Sequence, residues 1–313
     1  MTLLIGTDEA GYGPNLGPLT VAATAWQVAA PPDAVEAILA AAVDAAVPAR
    51  LWGDSKTIYR AGAGFEQLEG GVLVALGLTG ASLPTDWPGL AVALELTVGD
   101  PPPEQDAIDR LRVPRHQEAS AWHDAAAEIR QRLGGRGVRL AAVRCRVVQP
   151  GEFNGLLDRG LNKSDILSKV TLDLAASLAV VGLADASAEP LVIWCDRHGG
   201  RRRYAAQVTQ AFDTGLVSPL EETPARSSYR IGTGGRIEFS VGGESRIPVA
   251  VASMTAKYVR ERAMEAFNDF WGARQPGLVT TAGYPVDAGR WRVEATPAVE
   301  RAEVGWDAVW RRA

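Results

Sequence analysis

The sequence predicts an α/β fold built on a mixed sheet, and three observations carry that expectation. Two apolar, β-branched runs at 3–7 and 19–28 are joined by a turn bearing Gly11, Gly13, Pro14 and Gly17, the pattern of an antiparallel hairpin. Apolar runs then alternate with amphipathic helical patterns, which favours parallel strands linked by helical crossovers. A strand closing on a carboxylate and passing through a turn into a helix also recurs along the chain.

Each element has its own signal. Residues 33–46 put Val35, Ile38, Leu39 and Val43 on one helical face behind Pro31-Pro32. Between 61 and 116, glycine pairs, "LPTDWPG" and "GDPPPEQ" break up short apolar runs, so this stretch reads as an inserted region. Residues 119–133 align Trp122, Ala126, Ile129 and Leu133 on a helix stopped by Gly134-Gly135, and 138–148 read as a strand. The spacing of Ile166, Val170, Leu174, Leu178 and Val181 predicts a helix over 162–181, with Asn162 or Ser164 as its N-cap. A continuous apolar run at 191–195, typical of a buried parallel strand, ends at Asp196. A fifth strand is expected at 237–241, followed by "GGES" and a long helix over 248–271. The glycine run "GTGGR" at 232–236 precedes a strand rather than opening a helix, so it is not read as a nucleotide loop.

With 313 residues, 47% of them hydrophobic, the chain can bury a full core. It has no apolar run of membrane-spanning length and no basic flank leading into an apolar N-terminal region, which predicts a soluble, cytoplasmic monomer without a membrane partner. Cys145 and Cys195 lie in strand-like runs without zinc or redox spacing and are expected to be buried thiols. A net charge of −5 argues against a uniformly positive, nucleic-acid-coating surface. The third quarter is nevertheless basic, from "RHGGRRR" at 197–203 through Arg226, Arg230, Arg236, Arg246, Lys257, Arg260 and Arg262. A solvated arginine-rich loop and a nucleic-acid patch both fit that run.

Carboxylates mark the ends of three expected strands: Asp8 and Glu9, Asp196, and Glu244. If the first and fourth strands are neighbours, these ends converge on one crevice. Four acids buried there unpaired would cost several kcal/mol or become protonated, and divalent cations resolve the conflict. Oxygen-only ligation suits Mg²⁺ or Mn²⁺, and two such ions can drive phosphodiester hydrolysis.

Five blocks, in order, resemble the ribonuclease HII family of type 2 ribonucleases H. "GTDEAGYGPNLGPLTVAA" is similar to its Asp-Glu-x-Gly-Arg-Gly-Pro opening, "GDSKTIYR" to its Asp-Ser-Lys segment, and "LVIWCDRHGG" to the strand carrying its third carboxylate. "VGGESRIPVAVASMTAKYVRERAM" resembles its Gly-Asp, Ala-Ser and Ala-Lys run, and "AGYPV" its late Gly-Tyr-Pro element. The resemblance implies a ribonuclease H-like mixed five-stranded sheet flanked by helices. The catalytic domain would span 1–60 and 117–290, with an insertion at 61–116 and a C-terminal helical extension at 291–313. It further implies that Asp8, Glu9, Asp196 and Glu244 bind Mg²⁺ or Mn²⁺ and catalyse cleavage of RNA–DNA hybrids or of DNA with embedded ribonucleotides, leaving 3′-hydroxyl and 5′-phosphate ends. The Gly11–Tyr12–Gly13 backbone would meet the 2′-hydroxyl, Tyr284 would stack on the next sugar, and Ser55, Lys56, Asn162, Arg197, Ser253 and Lys257 would contact phosphate or support the ligands.

Three positions depart from the family pattern. Tyr12 replaces the arginine of the turn, exchanging a phosphate-pairing charge for a flat ring. Glu244 stands for aspartate and extends the ligand by one methylene. A longer "RHGGRRR" loop follows Asp196, placing His198 and Arg201–Arg203 where they could grip phosphate or assist the leaving group. A nuclease with a shifted substrate, structured DNA or RNA, and a non-catalytic nucleic-acid-binding module are the alternatives. Trp291, Trp306 and Trp310 are expected to pack on the domain.

Overall fold

Strands β1 (Thr2–Ala10) and β2 (Leu19–Val28) pair antiparallel over their full length, as the hairpin pattern requires. The computed structural model describes residues 1–59, 64–115, 120–184, 190–213 and 217–312. The remaining strands are β3 (Thr97–Val98), β4 (Val138–Val148), β5 (Leu191–Asp196), β6 (Val217–Glu222), β7 (Arg226–Ile231) and β8 (Gly235–Ser240), in the order β3-β4-β2-β1-β5-β8-β7-β6. β5 runs parallel to both β1 and β8, while β2–β4, β6–β7 and β7–β8 are antiparallel.

The sheet therefore has eight strands rather than the expected five. All five expected strands occupy its uninterrupted centre, β4-β2-β1-β5-β8, and the three additional ones extend the two edges. Edge strands carry weak apolar signals because solvent takes one side of them. "VSPLEE" in β6 is mostly exposed and tolerates Pro219, and β3 is two exposed residues. The glycine run at 232–234 is the tight turn joining β7 to β8.

The helices are α1 (Val35–Ala46), α2 (Ser55–Ile58), α3 (Phe65–Thr79), α4 (Trp87–Ala93), α5 (Gln105–Asp109), α6 (Ser120–Gly134), α7 (Pro150–Asp158), α8 (Lys163–Ala184), α9 (Ala205–Phe212), α10 (Ile247–Arg274) and α11 (Pro285–Arg301). On one face of the sheet, α1, α3, α6 and α10 close over Leu4, Trp26 and Val143. On the other, α7, α8 and α9 cover Leu3, Ile5, Ile193 and Phe239. Leu68, Val72 and Leu76 of α3 belong to the first of these cores. A third apolar cluster joins the C-terminal half of α10 to Trp291 of α11 and to Val309, with Trp306 and Trp310 packed against it. Cys145 and Cys195 are free, fully buried thiols. Among the described residues no helix is long and apolar enough to cross a membrane.

The α10–β1 contact sets the geometry of everything near the carboxylates. Gly6 faces the first turn of α10, where an added Cβ would overlap the Pro248 main chain and lie 2.6 Å from its carbonyl oxygen. Thr24 Oγ1 donates to Pro248 O at 2.9 Å, and Thr20 Oγ1 donates to Ala256 O at 2.9 Å, so two buried hydroxyls tie the helix to β2. Gly6→Ala is expected to destabilise the protein by about 1–3 kcal/mol or more through forced separation of α10 from β1. Urea unfolding of the variant against the wild type checks it.

Candidate active site at the carboxyl ends of β1 and β5

The parallel register of β1 and β5, with Thr7 opposite Cys195, brings the next residues of both strands, Asp8 and Asp196, side by side. Asp8, Glu9 and Asp196 each present one carboxylate oxygen within 4.8 Å of the other two. Asp8 is buried, whereas Glu9 and Asp196 are half-buried and face the opening. Glu244 lies in the short 3-10 turn Gly243–Ser245 and acts on Asp8 through its charge, although it stands outside the three-oxygen cluster. The same turn fixes Asp196: Gly243 N donates to Asp196 Oδ1 at 2.9 Å, and a Cβ at Gly243 would come within 3.1 Å of Asp196 Cα.

Burial first, and then the negative charge of Asp196, push the Asp8 carboxyl up to about 7, with a smaller push from Glu244. Hydrogen bonds from Ser253 and from the Glu9 amide, 2.7 Å from Asp8 Oδ1, oppose that rise. Ser253 in turn shares a hydrogen bond with Ser55, Oγ to Oγ 2.9 Å, and both serines are buried. Ser55 and Ser253 thus stand behind Asp8 and hold its orientation. An all-oxygen, anionic cluster of this kind could hold a divalent cation, whose charge would offset both the burial and the repulsion that raise Asp8.

The other residues singled out from the sequence fall into two groups. Tyr284 is half exposed, and its ring carbon lies 3.8 Å from where a Gly13 Cβ would be, so the two share one rim with the Gly11–Gly13 turn. Lys257 lies over the Tyr59 ring at 4.7 Å and pairs with Glu261 at 2.8 Å. Asn162 instead caps α8: its Oδ1 accepts from Asp165 N at 3.0 Å while Asp165 Oδ2 accepts from Asn162 N at 3.2 Å, a reciprocal cap. Arg197 donates Nε to Arg201 O at 2.9 Å and Nη1 to Pro224 O, on the side of the β6–β7 connection. The Lys56 side chain lies outside the described residues.

His198 does not serve as a proton donor to a leaving group. It is buried at right angles against the stacked Tyr204–Phe239 pair, its Nδ1 hydrogen-bonds Ser168 Oγ at 3.0 Å, and burial drives its pKa down to about 3. Arg201 is likewise committed, to Ser164 Oγ at 3.0 Å and to the Asp165 carboxylate. Two cations with no motif of their own, Lys163 and Arg311, stand at the Gly11–Pro14 turn. Lys163 Nζ sits 4.9 Å from the centre of the Tyr12 ring, and the buried Arg311 donates to Gly11 O at 2.6 Å and to Pro14 O.

No family model and no curated protein matches the chain. Among solved structures it is similar to RNase HII from Archaeoglobus fulgidus in complex with PCNA, at 16% identity and TM-score 0.44, covering 99% of this chain and 94% of that one. It is similar to ribonuclease H2 from Pyrococcus horikoshii OT3 at 16% identity and TM-score 0.38, covering 97% and 100%. Bst-RNase HIII in complex with Mn²⁺ gives 17% identity and TM-score 0.43, covering 99% and 66%. These superpositions are loose, so the case for this chain's chemistry rests on its own residues.

The raised Asp8 pKa has a stability consequence of definite sign. The folded value lies above the unfolded one, so Asp8 favours folding below about pH 4 and loses that contribution as the pH rises to about 7. Asp8→Asn cannot ionise and is expected to make the metal-free protein more stable at pH 8, by a few kcal/mol at most, with the gain shrinking towards pH 4. Addition of Mn²⁺ should stabilise the wild type and not the variant. Urea unfolding at both pH values, with and without Mn²⁺, measures each part.

Proposed function

We propose that this protein is a metal-dependent endonuclease of the type 2 ribonuclease H kind, hydrolysing the RNA strand, or embedded ribonucleotides, of RNA–DNA duplexes. The observation that carries the reading is the meeting of Asp8, Glu9 and Asp196 within 4.8 Å at the carboxyl ends of two central strands. The motif blocks around those residues support it. Mg²⁺ or Mn²⁺ held there, in the two-ion arrangement, would activate a water and stabilise the departing 3′-oxygen, leaving 3′-hydroxyl and 5′-phosphate ends.

The chain's own residues do the rest. Asp8, Glu9 and Asp196 hold the cations, with Glu244 as the fourth acid on the 3-10 turn. Ser253, backed by Ser55, keeps the Asp8 carboxylate aimed, and the Gly243 amide keeps Asp196 in place. Gly13, with only the Tyr284 ring beside it, offers main chain without side-chain bulk to the ribose, while Gly11 makes room for Arg260 and Pro18 beneath the turn. A 2′-hydroxyl is the one group that distinguishes ribose from deoxyribose there. Residues 1–60 and 117–290 form the catalytic domain in this reading, 61–116 an insertion and 291–313 a C-terminal extension.

Asp8→Asn and Asp196→Asn are expected to lower cleavage by roughly a thousandfold or more while hybrid binding persists. The test is a panel of labelled substrates with Mg²⁺ or Mn²⁺: long hybrids, duplex DNA with one ribonucleotide, duplex RNA and branched DNA. Cleavage of the first two supports the reading. If both stay intact while another is cut, the substrate is different, and full activity of Asp8→Asn removes the site.

A further inference from the structure

The turn after the carboxylates carries a tyrosine and no charge of its own, yet cations gather on it from distant parts of the chain. Lys163, the first residue of α8, leans on the Tyr12 ring with its Nζ 4.9 Å from the ring centre, an energetically favourable cation–π contact. No ion pair is formed by Lys163 among the described residues. Beneath the turn lies Arg311, 1% exposed, whose partners are neutral: Gly11 O, Pro14 O and the face of Phe153. Its Nε and Nη1 are buried and have no hydrogen-bond partner. Nearby, Arg260 is 2% exposed, donates to Ala282 O at 2.9 Å, and reaches its one carboxylate neighbour, Glu261, only at 3.8 Å. Burial and the charge of Arg311 both lower the Lys163 pKa, which places the two cations within each other's field.

Asp165, two residues on from Lys163, does not neutralise this group, because its carboxylate is taken by Arg201 and by the α8 cap. The hydroxyl of Tyr12 rests against Gly199 in the loop after Asp196, 3.0 Å from where a Cβ would be, and Gly199 adopts φ +58°. Tyr12 is thus a wedge between the Asp196 loop and the start of α8, and it holds the Lys163 ammonium on the rim that carries Gly11 and Gly13. Buried positive charge without a counter-ion, under a half-exposed ammonium on a rigid ring, is a seat for an anion.

We propose that Lys163, held on the Tyr12 ring above Arg311, binds a backbone phosphate of the nucleic acid strand beside the cleavage site. The proposal deepens the nuclease reading by assigning the strand contact that the uncharged turn does not supply. Lys163 acts on binding and leaves the carboxylates alone.

Lys163→Met and Lys163→Arg are compared with the wild type on a fluorescent RNA–DNA hybrid over a range of KCl concentrations. Lys163→Met is expected to raise KM about tenfold with kcat nearly unchanged, and to reduce the slope of log affinity against log salt by about one. Lys163→Arg should restore both. An unchanged KM and salt slope in Lys163→Met would overturn the proposal, as would a loss confined to kcat. Binding measured by anisotropy in the Asp8→Asn background separates the two readings. If the wild type cuts no hybrid but the Lys163-dependent salt slope persists, the phosphate seat stands and the hydrolase reading falls. Should hybrids be cut with no dependence on Lys163, the reverse holds.

Discussion

The close approach of α10 to β1 at Gly6 is the constraint on which the site depends. A helix that starts directly over a strand, with no side chain between them, brings Ser253 down onto the strand's next inward position, Asp8. Thr20 and Thr24 satisfy α10 carbonyls from the neighbouring strand, so the close contact is hydrogen-bonded as well as packed. The result is a carboxylate under a helix, cut off from water on one side and open to Glu9 and Asp196 on the other. Its pKa near 7 follows from that placement.

Such an arrangement spends stability for chemistry. Carboxylates gathered within a few ångströms repel each other, and main-chain donors help to hold them: the Glu9 amide for Asp8 and the Gly243 amide for Asp196. Amide donors stabilise charge without filling the space a cation would need. His198, by contrast, lies two residues beyond Asp196 and is turned the other way, into the aromatic layer of Tyr204 and Phe239, where it is neutral and inert. Strand and loop geometry turn these two neighbours to different sides, Asp196 to the acidic cluster and His198 to the core.

The central sheet was legible because its five strands are apolar enough to stand out, and because two of them, β1 and β5, close on carboxylates that do not suit a core. The edge strand β6 was not, since "VSPLEE" presents polar residues to solvent, nor was its neighbour β7, whose "RSSYRI" buries Ser227 and Ser228 and so lacks a clean alternation of apolar and polar residues. For the site, Asp8, Glu9 and Asp196 stood out as carboxylates at the ends of expected strands, which converge only if those strands are neighbours, and Ser253 was singled out only by the motif resemblance. Asn162 was legible in two ways, as a cap and as a ligand contact, and its side chain serves the cap. Lys163 and Arg311 had no signal at all: neither sits in a motif, and only the folded chain brings α8 and the C-terminal segment to the same turn.

That convergence explains why the C-terminal segment belongs to the site's architecture. Arg311 N donates to Asn15 O at 2.8 Å and Asn15 Nδ2 donates back to Arg311 O at 3.0 Å, while Leu16 and Trp310 form a β-bridge. The Arg311 guanidinium occupies Gly11 O and Pro14 O on the inner side of the turn, and Arg260, packed against Gly11, reaches Leu16 O at 3.5 Å while donating to Ala282 O. A glycine turn is intrinsically mobile, and Gly11 and Gly17 both hold positive φ. Fixing it from below with two guanidiniums gives it one shape, and the charge that does the fixing also sets the field above it. The burial of Arg311, which drives its pKa down to about 9, is the cost of that rigidity. The turn thus has a fixed position although it carries no charged side chain of its own.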